Sequence, residues 1–480
     1  MAVIENISDK TKYAIWFLLI AVLYFVFFHR LGTYPIRTWD ESVYAVYSYE
    51  MIQNGNYLVP HLNGQIDYLN DKPPLFFWSQ IAAIKLFGYN EFSVRFPSAL
   101  FGALTVLMLF VFIAKRFSFY LGICVAFVLS CSLGFVTFHS SRTGDMDTML
   151  AFGLTGTALC FAAYLQAQKN KYLVFYFVFL LFSFFTKSIA GLFFLPAHFL
   201  IIAIIKRDLI KNLKLWAGLI VSFGVMGLYI LIRGKYEAGY FSEHFTEYLE
   251  KFKMPFNDSH NKPWDFYFNN LFYDRFSSFA LFVIPAGILA RYEKSPELKN
   301  LLFVITVSAM VYFSIICLSP TKCYWYDVPL FPMFAVLVGY FIWKISLIIS
   351  EQTNFANAIP VIMFLFFAPV VFYAIKRSYN NQIPQGERRI EIIHEFFSKN
   401  IDGFKNQKLK VLTENYITPM LFYKYMFKER NTDLIICNAN ELQTGDLVVT
   451  GNDSIKALIG KNYKADISRI YKQATVYKIK

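Results

Sequence analysis

The first three quarters of the chain alternate long apolar runs with short polar segments. Many of these runs reach the roughly 17–25 residues that an α-helix needs to cross a bilayer. The runs are continuously apolar and do not alternate with polar residues, which favours helices over the strands of a membrane β-barrel. Hydropathy predicts about eleven spans, near residues 13–28, 94–114, 118–138, 147–166, 172–186, 188–205, 214–232, 276–291, 300–318, 327–346 and 358–376.

A long polar and aromatic stretch, about Leu31 to Glu91, follows the first span. The residues directly after that span offer no small-residue cleavage site, so we interpret the span as a retained helix and not as a signal peptide. Within the stretch, Leu75 to Phe87 is apolar but too short to cross a bilayer. It predicts a helix that lies in the membrane interface.

The C-terminal segment 377–480 has a different pattern. It is polar and shows helical periodicity near Gly386–Lys399. It also contains short runs of Val, Ile and Leu, typical of strands, at Lys410–Thr413, Leu434–Cys437 and Leu447–Thr450. The pattern predicts two domains, a membrane domain over 1–376 and a small soluble α/β domain over 377–480.

The composition agrees with a membrane protein. Charged residues make up 16% of the chain, against about 25% in a typical soluble protein. The net charge of +13 comes from short basic clusters between the apolar runs, which indicates membrane topology and headgroup contact and not nucleic-acid binding. The six Cys show no paired spacing, so they predict neither a disulfide framework nor a cysteine metal site.

The basic clusters also orient the chain. With a cytoplasmic N-terminus, the short basic loops all fall on the cytoplasmic side, as the positive-inside rule requires. These loops carry Lys115, Arg116, Lys169, Lys171, Lys206, Arg207, Lys211, Lys214, Arg291, Lys294, Lys299 and Lys344. The opposite side then receives the long loops 31–93 and 233–275, shorter loops at 139–146 and 319–326, and the C-terminal domain.

Acidic pairs stand at the ends of two predicted spans on that opposite side. Asp40 and Glu41 follow the first helix, and Asp145 and Asp147 enter the fourth. A carboxylate beside hydrocarbon is costly unless it is solvated or paired, so these residues are candidates for chemistry. The alternative is structural. Asp40 would then cap a helix that starts near Ser42, and the other acids would favour a helix dipole.

Basic residues and histidines occupy the same loops. Lys72 lies between Asp71 and a rigid Pro-Pro pair, where a lysine can bind phosphate as a point charge. Lys322 lies beside an aromatic run, and the large loop carries Glu243-His244 and His260, whose imidazoles can ligate metal or move protons. Each residue also has a plainer interpretation, because lysines anchor in membrane interfaces and a lone His is more often simply hydrogen bonded.

Topology places all of these side chains on one face of the predicted bundle. Acids, lysines and histidines gathered beside a bilayer favour a reaction on a lipid-borne, phosphorylated substrate. A transporter or flippase is a second hypothesis, but that class usually shows repeats and ionisable groups at mid-membrane, and the sequence shows neither. A structural protein of the cell envelope is a third hypothesis, which explains the tail but not the charged loops.

Residues 30–345 resemble the dolichyl-phosphate-mannose protein mannosyltransferase superfamily, whose members have the GT-C type of membrane fold. The branch they resemble most is the bacterial aminoarabinose transferase of lipid A. The resemblance rests on an ordered set of motifs, none specific by itself: Asp40-Glu41, Pro60 to Gly64, Asp71 to Pro74, Arg95-Phe96-Pro97, Arg142 to Asp147, Thr186-Lys187, Glu243-His244, His260 with Pro263-Trp264, and Lys322 to Pro329.

The resemblance implies an inverting glycosyltransferase of a bacterial inner membrane, with a periplasmic active site and C-terminal domain. The donor would be a sugar on undecaprenyl or another polyprenyl phosphate, and the acceptor lipid A, another envelope glycan or a protein. The implied catalytic residues are Asp40 as general base, Asp147 and Glu41. The implied ligands of the donor phosphate are Lys72, Lys187 and Lys322. Further site candidates are Arg142, Asp145, Glu243 and His244.

The chain departs from the aminoarabinose branch at several positions. That branch has Glu where this chain has Asp71, and Arg where this chain has Glu247. A divalent metal, zinc or magnesium, would be held by Asp71 and His260, and the shorter acid weakens that expectation. With Glu247, a donor-phosphate contact is either missing or supplied from elsewhere, by Lys251 or Lys262, and the chain has fewer predicted spans. These departures argue against aminoarabinose as the sugar.

Overall fold

The computed structural model describes residues 8–237, 239–254, 260–352, 372, 373, 376, 388–412, 417–472 and 474–480. Up to residue 352 the described chain is mostly helical. Its helices are α1 (Asp9–Leu23), α2 (Asp40–Asn54), α3 (Leu75–Phe87), α4 (Glu91–Arg116), α5 (Phe119–Cys131), α6 (Leu133–Val136), α7 (Asp147–Ala167), α8 (Asn170–Lys187), α9 (Leu195–Ile205), α10 (Leu213–Gly234), α11 (Tyr240–Lys253), α12 (Phe266–Asn270), α13 (Ala280–Ala290), α14 (Pro296–Leu318) and α15 (Leu330–Gln352).

Among the described residues, seven helices are long and apolar enough to cross a membrane. They are Asp9–Phe28, Glu91–Arg116, Asp147–Ala167, Asn170–Leu192, Leu213–Gly234, Pro296–Leu318 and Leu330–Ile349. Three more predicted spans correspond to shorter apolar helices, at Phe119–Cys131, Leu195–Ile205 and Ser277–Ala290. The predicted span 358–376 lies almost wholly outside the described residues. The multi-pass helical fold is therefore confirmed, whereas the count of eleven spans is not.

Helices α7 and α8 approach closely through small residues. A methyl group added at Gly153 would lie 2.4 Å from the Ser183 hydroxyl, and one added at Gly156 would lie 2.4 Å from the Phe179 ring. Small residues let membrane helices approach closely, because packing and not the hydrophobic effect drives their association in lipid. This contact aligns the first residue of α7 with the last residue of α8.

The described part of the C-terminal segment forms a mixed sheet with helices. Strands β1 (His61–Leu62) and β2 (Gln65–Ile66) form a separate short hairpin after α2. The elements of the C-terminal segment are α16 (Arg388–Asn400), β3 (Lys408–Leu412), α17 (Thr418–Lys428), β4 (Asp433–Cys437), β5 (Leu447–Thr450), α18 (Asp453–Asn462), β6 (Ala465–Tyr471) and β7 (Ala474–Ile479). The strand order is β4-β3-β5-β7-β6, with the first three strands parallel. The predicted α/β character is confirmed, and the boundary adjoins residues 377–387, which are outside the described ranges.

The sheet domain packs on α2 and the residues before α4. Tyr49 of α2 stacks on Tyr425 of α17 with ring centroids 4.6 Å apart, and Tyr89 contacts Phe422 at 4.8 Å. These rings belong to one buried hydrophobic cluster that includes both the sheet and α2. Because α2 begins at Asp40, the C-terminal domain supports the element that carries the first candidate residue.

Candidate active site

Asp40 enters α2 through a strained backbone. The preceding Trp39 has φ 65° and ψ −131°, a combination that non-glycine residues rarely adopt and that clusters at functional sites. Trp39 occupies the N-cap position and makes no capping side-chain bond. The structural alternative, in which Asp40 caps a helix from Ser42, is therefore wrong, since Asp40 is itself the first helical residue.

Two separated segments, the start of α2 and the loop before α7, bring Asp40, His139 and Asp145 together. Their carboxylate and imidazole atoms all lie within 4.8 Å of one another. His139 Nδ1 is 3.4 Å from Asp145 Oδ2, and the Thr143 hydroxyl donates to the same oxygen at 2.5 Å. The sequence singled out Asp40 and Asp145 but not His139, which lies three residues before the motif Arg142 to Asp147.

The His139 ring is fixed by its surroundings. It stacks on Trp325 with centroids 4.0 Å apart, and its backbone has φ 52°. Trp325 lies in a turn that ends at Asp327, which forms an ion pair with Arg275 at 2.8 Å. Burial raises the pKa of Asp327 to about 6, although Arg275 acts to lower it. The imidazole is therefore held in one orientation beside Asp40.

A second buried ion pair adjoins this cluster. Lys187 Nζ lies 2.5 Å from Asp147 Oδ1, and the ammonium sits 5.2 Å from the centre of the Tyr326 ring. The Asp147 and Lys187 side chains are 5% and 12% exposed. A buried carboxylate needs such a partner, so the pair joins the start of α7 to the end of α8 at the site.

The charges in the cluster influence one another. Burial raises the pKa of Asp40, as does the neighbouring charge of Asp145, whereas His139, Lys187 and Lys72 act to lower it. Burial also disfavours ionisation of Asp145 and His139. Their mutual attraction outweighs it, so the pKa of Asp145 is lowered and the pKa of His139 is raised. The structure thus favours an ionised Asp145–His139 pair beside Asp40.

Glu41 is a buried junction between segments. One carboxylate oxygen accepts hydrogen bonds from Gly144 N at 2.8 Å and Arg95 Nε at 2.7 Å. The other accepts from Arg37 N at 2.7 Å and Arg95 Nη2 at 2.9 Å. Arg95 also donates to the carbonyl oxygens of Leu31, Tyr34 and Pro35. Glu41 and Arg95 therefore tie the first loop to α4 and to the second loop.

The remaining candidates make other contacts. Lys72 pairs with Asp71, and its carbonyl oxygen accepts a hydrogen bond from Arg233. Lys322 Nζ donates to Ser319 O at 2.7 Å, and its backbone N–H donates to His260 O. Arg142 donates to carbonyl oxygens of Val26, Phe27 and His29. Glu243 is exposed on α11, and the side chain of His244 lies outside the described residues.

Asp40, His139 and Asp145 are also the group that could hold a metal ion within the described part of the chain. One imidazole nitrogen and carboxylate oxygens suit zinc better than magnesium. A metal-bound imidazole must be neutral, so metal binding would replace the charged Asp145–His139 pair. Asp71 and His260, the pair expected from the resemblance, are not members of this group.

Comparison with known proteins gives a consistent set of matches. The family model described as dolichyl-phosphate-mannose-protein mannosyltransferase matches residues 71–230. An uncharacterised protein of Aquifex aeolicus is 27% identical over 240 residues, covering 49% of this chain and 46% of that protein. The undecaprenyl phosphate-alpha-4-amino-4-deoxy-L-arabinose arabinosyl transferase 2 of Proteus mirabilis is 24% identical over 315 residues, covering 62% and 55%. The matched region thus spans about half the length of these curated relatives.

Solved structures extend the similarity to the whole fold. ArnT from Cupriavidus metallidurans in the apo state has a TM-score of 0.71 at 15% identity, with 98% of both chains covered. The same protein bound to undecaprenyl phosphate gives a TM-score of 0.71, with 97% of this chain and 98% of that chain covered. At this identity the match shows the fold alone.

The fold is that of a polytopic membrane protein similar to ArnT, and the charged cluster lies at the ends of its helices. The family model, the arabinosyl transferase relatives and the ArnT fold together support a likeness to the GT-C glycosyltransferase superfamily, and within it to the lipid A aminoarabinose transferases. The predicted resemblance is thereby confirmed. These matches do not support the alternative of a transporter or flippase.

Proposed function

We propose that this chain is an integral-membrane glycosyltransferase that transfers a sugar from a polyprenyl-phosphate donor to a hydroxyl or phosphate group of an acceptor, with inversion. The observation that carries the proposal is the cluster of Asp40, His139, Asp145, Asp147 and Lys187 where the ends of the apolar helices meet. A lipid-borne donor presents its phosphate at that level of the bilayer. We place the cluster and the C-terminal domain on the periplasmic side of an inner membrane, because the short basic loops then face the cytoplasm.

Asp40 is the proposed general base. Its carboxylate accepts the proton of the acceptor hydroxyl as the oxygen attacks the anomeric carbon of the donor sugar. The bond between that carbon and the phosphate oxygen breaks, and polyprenyl phosphate leaves with the bonding electrons. One base and one displacement suffice, and the configuration at the anomeric carbon inverts.

Lysines stabilise the charge of the leaving phosphate in this mechanism. Lys72 and Lys187 both act on Asp40 electrostatically, so their positive charges lie near the reacting centre. Fixed positive charges aimed at a developing anion are among the strongest contributions to catalysis. Each lysine has a buried carboxylate partner, Asp71 for Lys72 and Asp147 for Lys187. Lys72 is the principal candidate, because its side chain is 20% exposed, against 12% for Lys187. Lys322 Nζ donates to Ser319 O, so we assign Lys322 a smaller role in binding the phosphate.

Other residues support the reacting groups. Glu41 and Arg142 have buried side chains that bind segments of the first helix and loop, so we assign them positioning roles. Asp145 and His139 hold a charged pair against Asp40. Asp147 fixes the ammonium of Lys187.

The donor class rests on the relatives. Their names specify undecaprenyl phosphate carrying 4-amino-4-deoxy-L-arabinose, and one structure of similar fold contains undecaprenyl phosphate. We propose the same lipid class for this chain and leave the sugar open, since Asp71 and Glu247 depart from the relatives' pattern. A glycolipid such as lipid A is the first acceptor to examine.

Mass spectrometry of lipid A and total envelope glycans tests the proposal. Cells that lack the gene, cells that carry the wild-type gene and cells that carry Asp40→Asn are compared. We expect a sugar-sized mass in one glycoconjugate of the wild type that is absent from both other strains. Identical glycoconjugates in all three strains, with the protein expressed and its donor present, would contradict the proposed function.

A further inference from the structure

The segment that carries Lys72 has no regular secondary structure, yet its three consecutive carbonyl oxygens are all bound. Arg233 Nη2 donates to Asn70 O at 2.5 Å, and Arg233 Nη1 donates to Lys72 O at 2.7 Å. The Tyr240 hydroxyl donates to Asp71 O at 3.2 Å. Buried backbone groups need partners, and here side chains from α10 and α11 supply the order that a helix or strand would otherwise give.

Arg233 is buried and occupied within the protein. Its side chain is 0% exposed, and Nε lies 3.1 Å from Glu237 Oε2. Nη1 also donates to the Tyr229 hydroxyl at 3.0 Å, and the guanidinium carbon is 4.0 Å from the centre of the Tyr240 ring. The Nε and Nη1 donors are therefore committed to protein groups. This arginine supports a backbone segment and does not itself face a substrate phosphate.

We propose that Arg233, assisted by Tyr240, is a positioning residue that sets the location of Lys72 for the donor phosphate. The inference rests on the proposed role of Lys72. A lysine has a long flexible stem, so an anchored backbone lowers the ordering cost of presenting its ammonium at one point. Pro73 and Pro74 stiffen the chain on the other side of Lys72. The end of α10 is thus coupled to donor binding through main-chain contacts.

The geometry requires arginine at this position. The planar guanidinium holds two carbonyl oxygens, those of Asn70 and Lys72, in a fixed fork. Lysine keeps the positive charge but has a single nitrogen and cannot reproduce the fork. Arg233→Lys therefore keeps the positive charge and removes the paired hydrogen bonds to Asn70 O and Lys72 O. Tyr240→Phe is a gentler second variant, because it keeps the ring beside the guanidinium and removes the hydroxyl that bonds Asp71 O and Tyr229.

The test measures the dissociation constant of undecaprenyl phosphate for the full-length protein in nanodiscs. Wild type, Arg233→Lys, Tyr240→Phe, Lys72→Ala and the double variant of Arg233→Lys with Lys72→Ala are compared, each with its thermal midpoint. Lys344→Gln is the matched control, since it removes a partly buried cation that pairs with Glu293 at the other end of the helices. Residues that act through one another give non-additive effects.

We expect Arg233→Lys to weaken binding roughly tenfold, the scale on which supporting contacts commonly act. Tyr240→Phe should weaken binding less, Lys344→Gln should not change it, and Arg233→Lys should add nothing once Lys72 is alanine. Two results would overturn the inference while leaving the proposed role of Lys72 intact. One is an equal loss of affinity on Arg233→Lys whether position 72 is lysine or alanine. The other is unchanged binding in Arg233→Lys and Tyr240→Phe while Lys72→Ala weakens binding. Unchanged binding in Lys72→Ala would remove the proposed phosphate role and the inference with it.

Discussion

At the scale of single residues, the adjacent acids Asp40 and Glu41 have opposite environments. Glu41 accepts four hydrogen bonds and neutralises the buried Arg95. Asp40 lies beside another carboxylate, and burial raises its pKa. A catalytic residue commonly reduces the folding stability of a protein, whereas a structural residue increases it. The two residues can therefore be separated by stability measurements without any assay of transfer.

We predict that Glu41→Gln lowers the thermal midpoint sharply, because Arg95 would lose its counter-charge in a buried setting. Removing one partner of such a pair costs about 3–5 kcal/mol. Asp40→Asn should leave the midpoint unchanged or raise it, since it removes a charge that Asp145 repels. Thermal unfolding of the purified variants in one detergent measures both effects. Equal destabilisation by the two substitutions would refute this division of roles.

At the scale of elements, the C-terminal domain holds the segment that leads into α2. The Tyr423 hydroxyl accepts a hydrogen bond from Ile36 N at 3.0 Å and donates to Glu91 Oε1 at 3.1 Å. The Ser42 and Thr418 hydroxyls form a second link at 3.0 Å. These bonds fix the backbone on both sides of Asp40, so the domain is a structural part of the site.

Tyr423→Phe should loosen this segment while leaving both domains folded. The Ile36 N–H would lose its buried partner, at a cost of about 1–3 kcal/mol. We expect faster hydrogen exchange at Ile36 and Arg37, and weaker transfer. Tyr463→Phe is the matched control, because the Tyr463 hydroxyl bonds Ala439 O inside the sheet domain, away from α2. Unchanged exchange near Asp40 in Tyr423→Phe would show that the domain does not support α2 in this way.

The sequence predicted those elements whose boundaries are encoded locally. The helix Leu75–Phe87 has the predicted limits, because its apolar run lies between Pro74 and Gly88, which has φ 76°. The spans predicted at 118–138 and 188–205 are shorter in the structure. Hydropathy windows run through local breaks, such as Ser132 with ψ 104° and the 3₁₀ turn Ser188–Leu192.

The missed site features depend on tertiary contacts. The start of α2 is set by the strained Trp39 and by Glu41, whose partners come from distant segments. His139 looks like an ordinary loop residue until Trp325, far along the chain, stacks on it. Arg233 directly follows a predicted span, and its burial against the Lys72 segment depends on residues far away along the chain. No local pattern contains this information.

At the scale of the whole molecule, the spans alternate in direction, so the ends that carry the site meet on one side. The starts of α4 and α7 and the ends of α8 and α10 contribute Arg95, Asp147, Lys187 and Arg233 to this region. The C-terminal domain packs over α2 on the same side. The charged side chains therefore gather beside the ends of the apolar helices, which is the arrangement that the proposed reaction on a lipid-borne donor requires.

The central claim is that this site moves a sugar from a polyprenyl phosphate and that Asp40 accepts the acceptor's proton. Cells that lack the gene should contain both unused donor and unmodified acceptor, so their lipid extract supplies both substrates. The most direct measurement is mass spectrometry of that extract after incubation with purified wild type or Asp40→Asn. We predict that the wild type releases polyprenyl phosphate and adds one sugar mass to a single acceptor, whereas Asp40→Asn does neither. Equal transfer by both proteins, or none by folded wild type in an extract that contains the donor, would contradict the account.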